Sequence, residues 1–344
     1  MAGGSRPTQA DVARLAGVSR QTVSLVVLDD PRVSPRLRAA VTSAMAQLNY
    51  RPNVAARALV SHHTGFLGIV FSDLANPFHA ELAEALRAAA DRLGFVPFIS
   101  PVGQSADEEK VAINRFTEMA VDGLILVSPL SDNTTLEAVG AQVPTVIVTR
   151  NSGPANVDLV HADDRASAAQ VTQHLLAAGY DPVVFLGYER RIEGDSSLAR
   201  IDGYRAAMRR AARPERVQIV TQGGVPQIVG GLAASLTRGF GLVCHNDLIA
   251  LEAWAALAEL GLEPGPDVGV AGFDDTGMAR FPGVGLTSVN NGTTGFADTA
   301  VEMISQRLAG RTARREVVLP THLIVRRSTL RDQPDRPPRP AQQR

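Results

Sequence analysis

Residues 8–50 read TQADVARLAGVSRQTVSLVVLDDPRVSPRLRAAVTSAMAQLNY, and this stretch decides the fold of the N-terminal part of the chain. Thr8, with Asp11 three positions on, forms a capping-box pattern that predicts the start of a helix. Gly17 is expected to end that helix, since glycine readily adopts the conformation found after a helix C-terminus. Ser19 is the predicted cap of a second helix, so the pattern indicates two short helices joined by a tight turn.

A third helix is predicted from Ser34, because Pro35 would occupy the first helical position, where proline loses no hydrogen bond. Apolar side chains recur at helical spacing in all three segments and would form one small core. Two helices with a glycine-containing turn, followed by a third, is the helix-turn-helix plan. A small helical docking module would show the same spacing, and spacing alone leaves both interpretations open.

The outward side of the second helix carries side chains that suit DNA. Arg20 can donate two hydrogen bonds to a guanine and Gln21 can pair with an adenine, while hydroxyls can reach phosphates. The candidate DNA-binding residues of this helix are Ser19, Arg20, Gln21, Thr22, Ser24 and Leu25.

The stretch ADVARLAGVSRQTVSLVVLDDPRVSPRLRAAVTSAMAQLNYRPNVAARAL resembles the head of the lac repressor family of bacterial transcription regulators. The resemblance implies that the second helix enters the major groove and that Arg20 and Gln21 read bases. Many members of that family have an arginine at the position of Leu25. An apolar contact, for example to a thymine methyl group, is therefore expected there, with an unusual operator sequence.

Residues 51–64 are predicted to form a hinge. Asn53 can cap a short helix that has too few turns to be stable alone in water. The family resemblance implies that this helix forms on DNA, that Leu59 wedges into the central minor groove and that Ala56 packs beside it. Packing within a linker is the alternative role for Leu59.

Charge is distributed unevenly along the chain, although the formal net charge is −1. Residues 1–63 hold eight arginines and three aspartates, residues 326–344 are also net positive, and the segment between them is strongly acidic. A basic head on an acidic body is the asymmetry expected when one end of a protein meets phosphate.

Beyond residue 64 the pattern changes to short apolar runs that alternate with helical stretches. Examples are LGIVF at 67–71, GLILV at 123–127, VVFL at 183–186 and GLVC at 241–244. Uninterrupted apolar strands alternating with helices predict parallel sheets buried on both faces, and the number of units fits two sheets.

Polar residues follow many of these strands. Ligands of open parallel sheets bind beyond the carboxyl ends of the strands, so this placement predicts a cleft between two lobes. Capping of the next helix is the alternative role for each residue taken singly. The candidate effector-binding residues that this placement indicates are Asp73, Asn76, Ser128, Arg150, Asn246 and Asp274.

The body also resembles the sensor of the lac repressor family, which is similar in fold to periplasmic sugar-binding proteins. Segments such as DGLILVSP, ARIDGYRAAM and VGVAGFDD carry the resemblance, which covers about residues 1–330. It implies that Arg200, Asn246 and Asp274 bind an effector, that Phe78 forms a wall and that Asp163 lies at an inter-lobe edge. A valine-rich segment near Val225, where many members have an aromatic residue, and Asn290-Asn291-Gly292 depart from the usual pattern and leave the effector unnamed.

The predicted organisation is an α/β chain with a helix-turn-helix domain (1–50), a hinge (51–64) and a two-lobed body (65–331). The upper lobe would comprise 65–164 and 291–321, and the lower lobe 165–290 and 322–331. The proline- and arginine-rich tail at 332–344 is expected to be disordered and lacks a heptad pattern. A homodimer is expected, because two heads must read the two halves of a pseudo-palindromic operator.

The resulting expectation is a DNA-binding repressor controlled by a small-molecule effector, with a sugar favoured and a purine or nucleoside co-repressor as the alternative. A transporter-linked solute-binding protein without DNA function is a further class, but no signal-peptide pattern opens the sequence. No catalytic triad, phosphate loop or metal-ligand cluster stands out, so no enzyme, cofactor or metal is expected. No apolar run spans a membrane, and Cys244 is the only cysteine, so a cytoplasmic protein without a disulfide is expected.

Overall fold

The computed structural model describes residues 7–28, 30–51, 63–188, 192–221, 223–236 and 239–331 of the 344-residue chain. The chain divides into two compact units. One comprises Met1–Phe66 with Ala120–Asp122, and the other comprises Leu67–Met119 with Gly123–Arg344. The first unit contains the helical head, and the second contains two parallel sheets.

The head consists of three helices, α1 (Gln9–Ala16), α2 (Arg20–Val27) and α3 (Pro35–Gln47). The capping box at α1 is confirmed: the Asp11 N–H donates to Thr8 Oγ1, and the Thr8 N–H donates to Asp11 Oδ2 at 3.0 Å. Gly17 follows α1 with φ of +64°, a left-handed conformation that suits glycine. The predicted caps of α2 and α3 are also confirmed, by Ser19 and Ser34.

A small apolar cluster holds the three helices together. One fully buried valine comes from each helix, Val12, Val23 and Val41, and Val33 and Ala44 complete the centre. Burying a valine side chain contributes about 1.5–3 kcal/mol, so these positions account for much of the stability of a unit this small. Leu25 is half-buried and packs against the same cluster.

The first lobe of the body consists of one sheet and the helices connected to it. Its elements are β1 (Phe66–Phe71), α4 (Pro77–Arg92), β2 (Val96–Pro101), α5 (Ala106–Glu118), β3 (Gly123–Val127), α6 (Asn133–Gly140), β4 (Thr145–Val148), β5 (Asp158–Ala162), α12 (Thr293–Leu308) and β11 (Glu316–Leu319). The six strands lie in the order β11-β5-β4-β3-β1-β2. The described strand pairings, β1–β3, β3–β4, β4–β5 and β5–β11, are all parallel.

The second lobe consists of the other sheet and its helices. Its elements are α7 (Asp164–Ala177), β6 (Val183–Gly187), α8 (Ser196–Arg210), β7 (Val217–Ile219), α9 (Val225–Ser235), β8 (Gly241–Cys244), α10 (Asp247–Glu259), β9 (Gly269–Phe273), α11 (Gly277–Arg280), β10 (Thr287–Asn290) and β12 (His322–Ile324), followed by a 3₁₀ turn at Arg327–Thr329. The six strands lie in the order β12-β10-β9-β8-β6-β7. Among the described pairings, only β10–β12 at the edge of the sheet is antiparallel.

Apolar clusters lie against both lobes' sheets, which confirms the predicted α/β class with two parallel sheets. In the first lobe, Phe71, Leu82 and Phe296 are buried between the sheet and helices α4 and α12. In the second lobe, one cluster joins the sheet to α7 and α8, and another joins it to α9 and α10. The chain passes between the two sheets three times, after β5, after β10 and between β11 and β12.

Strand β5 was not predicted, because polar residues interrupt its apolar pattern. Asp158 is fully buried there and pairs with Arg307 at 2.7 Å and with Arg311 at 2.5 Å. His161, also buried, lies 3.1 Å from the carboxylate of Glu316 on the neighbouring strand β11. These long-range partners are invisible to a local pattern. Within the described ranges no helix is both long and apolar enough to cross a membrane.

Candidate functional site

Helix α2 presents polar side chains at its first turn. Arg20 and Gln21 are exposed. The Ser19 hydroxyl accepts the Thr22 N–H at 3.0 Å and lies 2.9 Å from the Thr22 hydroxyl, so these two side chains also fix the start of the helix. The exposed Arg20 and Gln21 therefore lie at a helix start whose backbone is fixed by the cap.

Two of the predicted DNA-binding residues of α2 are less outward than expected. Ser24 is half-buried. Leu25 is also half-buried, because one side of it packs against the apolar cluster of the head. The reason is that an eight-residue helix within a three-helix unit turns most of its apolar surface inward. Asn53, Ala56 and Leu59 lie outside the described residues.

A cavity of about 820 Å³ lies in the body, where the carboxyl ends of strands from both sheets meet. Seven of the eight predicted effector-binding residues line it. They are Asp73, Asn76, Phe78 and Ser128 from the first lobe, and Arg200, Asn246 and Asp274 from the second. The volume falls within the range of small-molecule sites.

Arg200 is the centre of the second-lobe wall. Its Nε donates to Asp164 Oδ1 at 2.7 Å, its Nη1 donates to the carbonyl oxygen of His245, and its Nη2 lies 3.9 Å from Asp274 Oδ1. The guanidinium also stacks 4.3 Å from the ring centre of Phe273. Burial raises the pKa of Asp164, and the Arg200 charge opposes that rise. These contacts fix the guanidinium in one orientation at the cavity.

Asp274 is held in an unusual backbone conformation directly after β9. Its φ is +98°, in a region that side-chain-bearing residues seldom adopt, and such strain concentrates at binding sites. The Asn291 amide donates to Asp274 Oδ1 at 3.0 Å, and Asn76 of the first lobe lines the same cavity. Burial raises the pKa of Asp274, against the lowering effect of Arg200.

Beneath Asp274 lies a second buried carboxyl group, that of Asp247 at the start of α10. It accepts hydrogen bonds from the Thr276 N–H at 2.7 Å, the Thr276 hydroxyl at 3.0 Å and the Ser288 hydroxyl at 2.6 Å. Burial and the neighbouring charge of Asp274 together raise the pKa of Asp247 to about 7. This carboxyl therefore titrates near neutral pH.

The two asparagines combine a capping role with a place at the cavity. Asn76 Oδ1 accepts the Phe78 N–H at 3.0 Å and caps α4, while Asn246 Oδ1 accepts the Ile249 N–H at 2.9 Å and caps α10. Helix capping, considered above as the alternative, is thus a true role of both. Because the oxygen is engaged in the cap, the amide nitrogen is the group that each side chain turns to the cavity.

The first-lobe wall is polar and anchored. The Asp73 carboxylate accepts the Asn76 N–H at 3.0 Å and a hydrogen bond from the Gln104 amide. The His79 ring lies 2.9 Å from the Asp73 backbone carbonyl oxygen and 3.8 Å from its carboxylate, and this neighbouring imidazole is the main reason that the pKa of Asp73 is lowered. Ser128, with φ of +51°, lies 2.8 Å from the hydroxyl of Thr149.

Arg150 does not line the cavity, contrary to the prediction. Its Nη1 donates to the Ser131 carbonyl oxygen at 2.9 Å, and its Nη2 donates to Asn133 Oδ1 at 3.1 Å and to the Glu193 carbonyl oxygen at 2.8 Å. The side chain is 1% exposed. The guanidinium reaches these backbone acceptors instead of the cavity, so its role is in holding loops together.

Several cavity residues were missed from the sequence. His79 lies within α4, Gln104 follows β2 but was not singled out, and Asp164 follows the unpredicted strand β5. Asp163, expected at an inter-lobe edge, caps α7 through the Ala166 N–H at 2.9 Å. The other unpredicted lining residues include Tyr188, Asp195, His245, Asn291 and Phe296.

Comparison with known proteins agrees with this architecture. A family model described as bacterial regulatory proteins, lacI family, matches residues 8–53, and one described as periplasmic binding protein-like domain matches residues 172–329. The HTH-type transcriptional regulator CelR of Thermobifida fusca is 32% identical over 338 residues, covering 94% of this chain and 98% of that protein. The chain belongs to the lacI family of bacterial regulatory proteins.

Solved structures support the same assignment for this lacI-family chain. The lac repressor dimer bound to operator and the anti-inducer ONPF is similar with a TM-score of 0.82 at 27% identity, over 95% of this chain and 100% of that one. A complex of the transcriptional regulator CelR with cellobiose has a TM-score of 0.68 at 28% identity, over 94% of this chain and 100% of that one. As a lacI-family member, the chain is a DNA-binding transcription regulator with a ligand-binding body.

Residues 200–204, with the pattern R-x-x-G-Y, contribute both to the cavity and to the core of the second lobe. Arg200 faces the cavity. At Gly203 helices α7 and α8 approach so closely that a Cβ would lie 2.1 Å from the Arg165 carbonyl oxygen. The buried Tyr204 hydroxyl donates to the Val183 carbonyl oxygen at 2.9 Å and accepts the Arg216 N–H at 2.8 Å. The motif therefore fixes α8 against the sheet with Arg200 at the cleft.

Proposed function

We propose that this chain is a sequence-specific repressor whose affinity for operator DNA is controlled by a saccharide bound in the cleft. The observation that carries the proposal is the convergence of Arg200, Asp274 and Asn246 with Asn76 at one 820 Å³ cavity in a chain with a helix-turn-helix head. Carboxylates, amides and a guanidinium together satisfy sugar hydroxyls, each of which both donates and accepts a hydrogen bond.

For the DNA, we propose that Arg20 and Gln21 read bases in the major groove and that Ser19 and Thr22 contact phosphates. Ser24 and Leu25 complete this surface, with Leu25 offering an apolar contact at its exposed edge. Asn53, Ala56 and Leu59 keep the hinge roles that the family resemblance implies.

Two copies acting on a pseudo-palindromic operator would place two α2 helices in successive major grooves. The lac repressor structure to which the chain is similar is a dimer on operator, which supports a homodimer here.

We propose domain boundaries near residues 50, 64 and 331, with lobes that follow the strand membership of the two sheets. We propose that the repressor acts in the cytoplasm, where the chromosome lies.

For the effector, the related CelR structure is a complex with cellobiose and the related lac repressor structure is bound to the anti-inducer ONPF, and both support a saccharide-type ligand for this cleft. We propose that the ligand is bound and released unchanged, without an enzymatic step and without a cofactor. Binding controls DNA only if the ligand has different affinities for the DNA-bound and free states. A purine or nucleoside is the competing ligand class. Titrating the protein with saccharides and with nucleosides distinguishes the two classes.

The DNA part of the proposal is tested by fluorescence anisotropy on fragments of the chain's own promoter region at fixed salt. Arg20→Ala is expected to weaken specific binding by about 1–3 kcal/mol and to relax specificity at one base pair. Arg14→Ala removes an exposed arginine of α1 and is the matched control; any loss it causes should be uniform across sequences. Equal losses on specific and random DNA for Arg20→Ala would contradict the base-reading role.

A further inference from the structure

Three hydrogen bonds join the first lobe to one loop of the second. Arg150 Nη2 donates to the Glu193 carbonyl oxygen at 2.8 Å, and the Asn151 N–H donates to the Gly194 carbonyl oxygen at 2.9 Å. The Asn133 amide, at the start of α6, also donates to the Glu193 carboxylate at 3.2 Å. We call this set of contacts the clasp; it connects the segment after β4 and the start of α6 to the segment before α8.

Glycine at position 194 is required for the two backbones of the clasp to meet. Its φ is +77°, and a Cβ there would lie 2.3 Å from Ser152 Oγ and 2.6 Å from the Ser152 nitrogen. Glycine is the residue that allows such a close backbone approach in a left-handed conformation. The backbones at Gly194 and Ser152 therefore approach as closely as a glycine at position 194 allows.

Arg150 lies in the clasp as a buried cation with neutral partners. Its described hydrogen bonds all go to carbonyl or amide oxygens, including that of Ser131 in its own lobe. Burial lowers the pKa of the guanidinium, and the more distant charges of Asp195 and Glu109 oppose that shift. A buried charge without a paired carboxylate is costly, while its hydrogen bonds are favourable. These opposing contributions suit a contact that must both form and release.

The segment held by the clasp continues directly into the cavity wall. Asp195 and Ser196 line the cavity, and Asp195 also caps α8, the helix that carries Arg200, by accepting the Ser197 N–H at 2.8 Å. Moving the backbone at residue 193 would therefore move the wall that faces the ligand.

We infer that Arg150 is a positioning residue that couples closure of the two lobes to the shape of the effector cavity, by clasping the backbone of the Glu193 segment across the cleft. This inference rests on the proposed function, in which cleft closure controls operator affinity. It gives Arg150 a regulatory role without contact to the ligand. Loss of the clasp shifts the population of the body toward the open form.

The test uses hydrogen–deuterium exchange on the full chain without ligand. In Arg150→Met, the Asn151 amide, which donates across the clasp, is expected to exchange about tenfold faster than in the wild type, while the amides of strands β3 and β8 keep their protection. Arg311→Met is the matched control, because Arg311 pairs with Asp158 inside the first lobe. It is expected to raise exchange around Asp158 and to leave Asn151 unchanged.

A second readout measures the separation of the lobes. Spin labels at exposed positions of each lobe, Glu137→Cys and Arg210→Cys, report the inter-lobe distance distribution. Arg150→Met is expected to broaden the distribution toward longer distances, and Arg311→Met is not. Should Arg150→Met fail to fold, Asn133→Ala serves as the second variant, because it removes one hydrogen bond of the clasp. It is expected to broaden the inter-lobe distance distribution in the same direction, but less.

The inference is overturned by unchanged Asn151 exchange and an unchanged distance distribution in a folded variant. Failure of the proposed function would look different: the wild-type chain would show no specific operator binding, whatever the behaviour of the clasp.

Discussion

Replacing Arg200 with methionine tests the electrostatics of the cleft. The substitution keeps much of the side-chain volume and removes the cation between Asp164 and Asp274, whose side chains are each 4% exposed. Removing one partner of a buried ion pair costs about 3–5 kcal/mol, because the remaining charge stays buried without compensation. Two carboxylates depend on this one guanidinium, so we expect the upper part of that range at neutral pH.

The sign of the pH dependence follows from the same contacts. Burial raises the pKa of Asp164, and Arg200 makes the largest opposing contribution, so removing Arg200 raises that pKa in the folded state further above the unfolded value. A raised carboxyl pKa means that stability is retained at low pH and lost as pH rises through the folded-state pKa. The difference in unfolding free energy between wild type and Arg200→Met should therefore shrink from pH 7.5 to pH 5.

The assay is urea unfolding of both proteins at the two pH values, followed by circular dichroism. Arg200→Met/Asp164→Asn is the matched double variant and should recover a large part of the loss, because it removes the buried charge together with its partner. A loss below about 1 kcal/mol at pH 7.5, in the range of an exposed ion pair, would refute the reasoning. A loss that is independent of pH would also refute it.

Three further substitutions test separate parts of the structure. Asp247→Asn should flatten the decline of stability between about pH 4 and pH 7, because burial and the charge of Asp274 raise the folded-state pKa to about 7, well above that of an aspartate in the unfolded chain; urea midpoints across this range measure it. Gly203→Val should destabilise the body by several kcal/mol in the same assay, whereas Ala206→Val on the same helix should cost much less, since a Cβ at position 203 would meet the Arg165 carbonyl. Thr8→Ala should destabilise the head by about 1 kcal/mol, and Thr8→Ser should restore it, because the capping hydroxyl returns.

Features determined by neighbours in the sequence could be predicted. The capping box of Thr8 and Asp11 and the Ser34-Pro35 helix start depend on residues within one turn, and the structure confirms both. The position of polar residues after strands likewise located five cavity residues, because parallel strands all direct their carboxyl ends to one edge of the sheet. Phe78 and Arg200 were predicted from the family resemblance instead.

Features that depend on distant partners could not be predicted. Strand β5 contains the buried Asp158, which is stable there only because Arg307 and Arg311, about 150 residues later, compensate its charge. Arg150 follows a strand as a cavity residue would, yet its guanidinium bonds to a backbone carbonyl of the other lobe. No local pattern distinguishes these cases, since the partner is set by the tertiary fold.

The most direct test of the central claim is the coupling between the two sites. Operator affinity would be measured with and without a saccharide that binds the cleft, and saccharide affinity would be measured with and without operator. We expect each ligand to change the affinity for the other by the same factor, because coupling free energy is reciprocal. We also expect Arg200→Met to abolish the effect. A saccharide that binds the cleft and leaves operator affinity unchanged would contradict it.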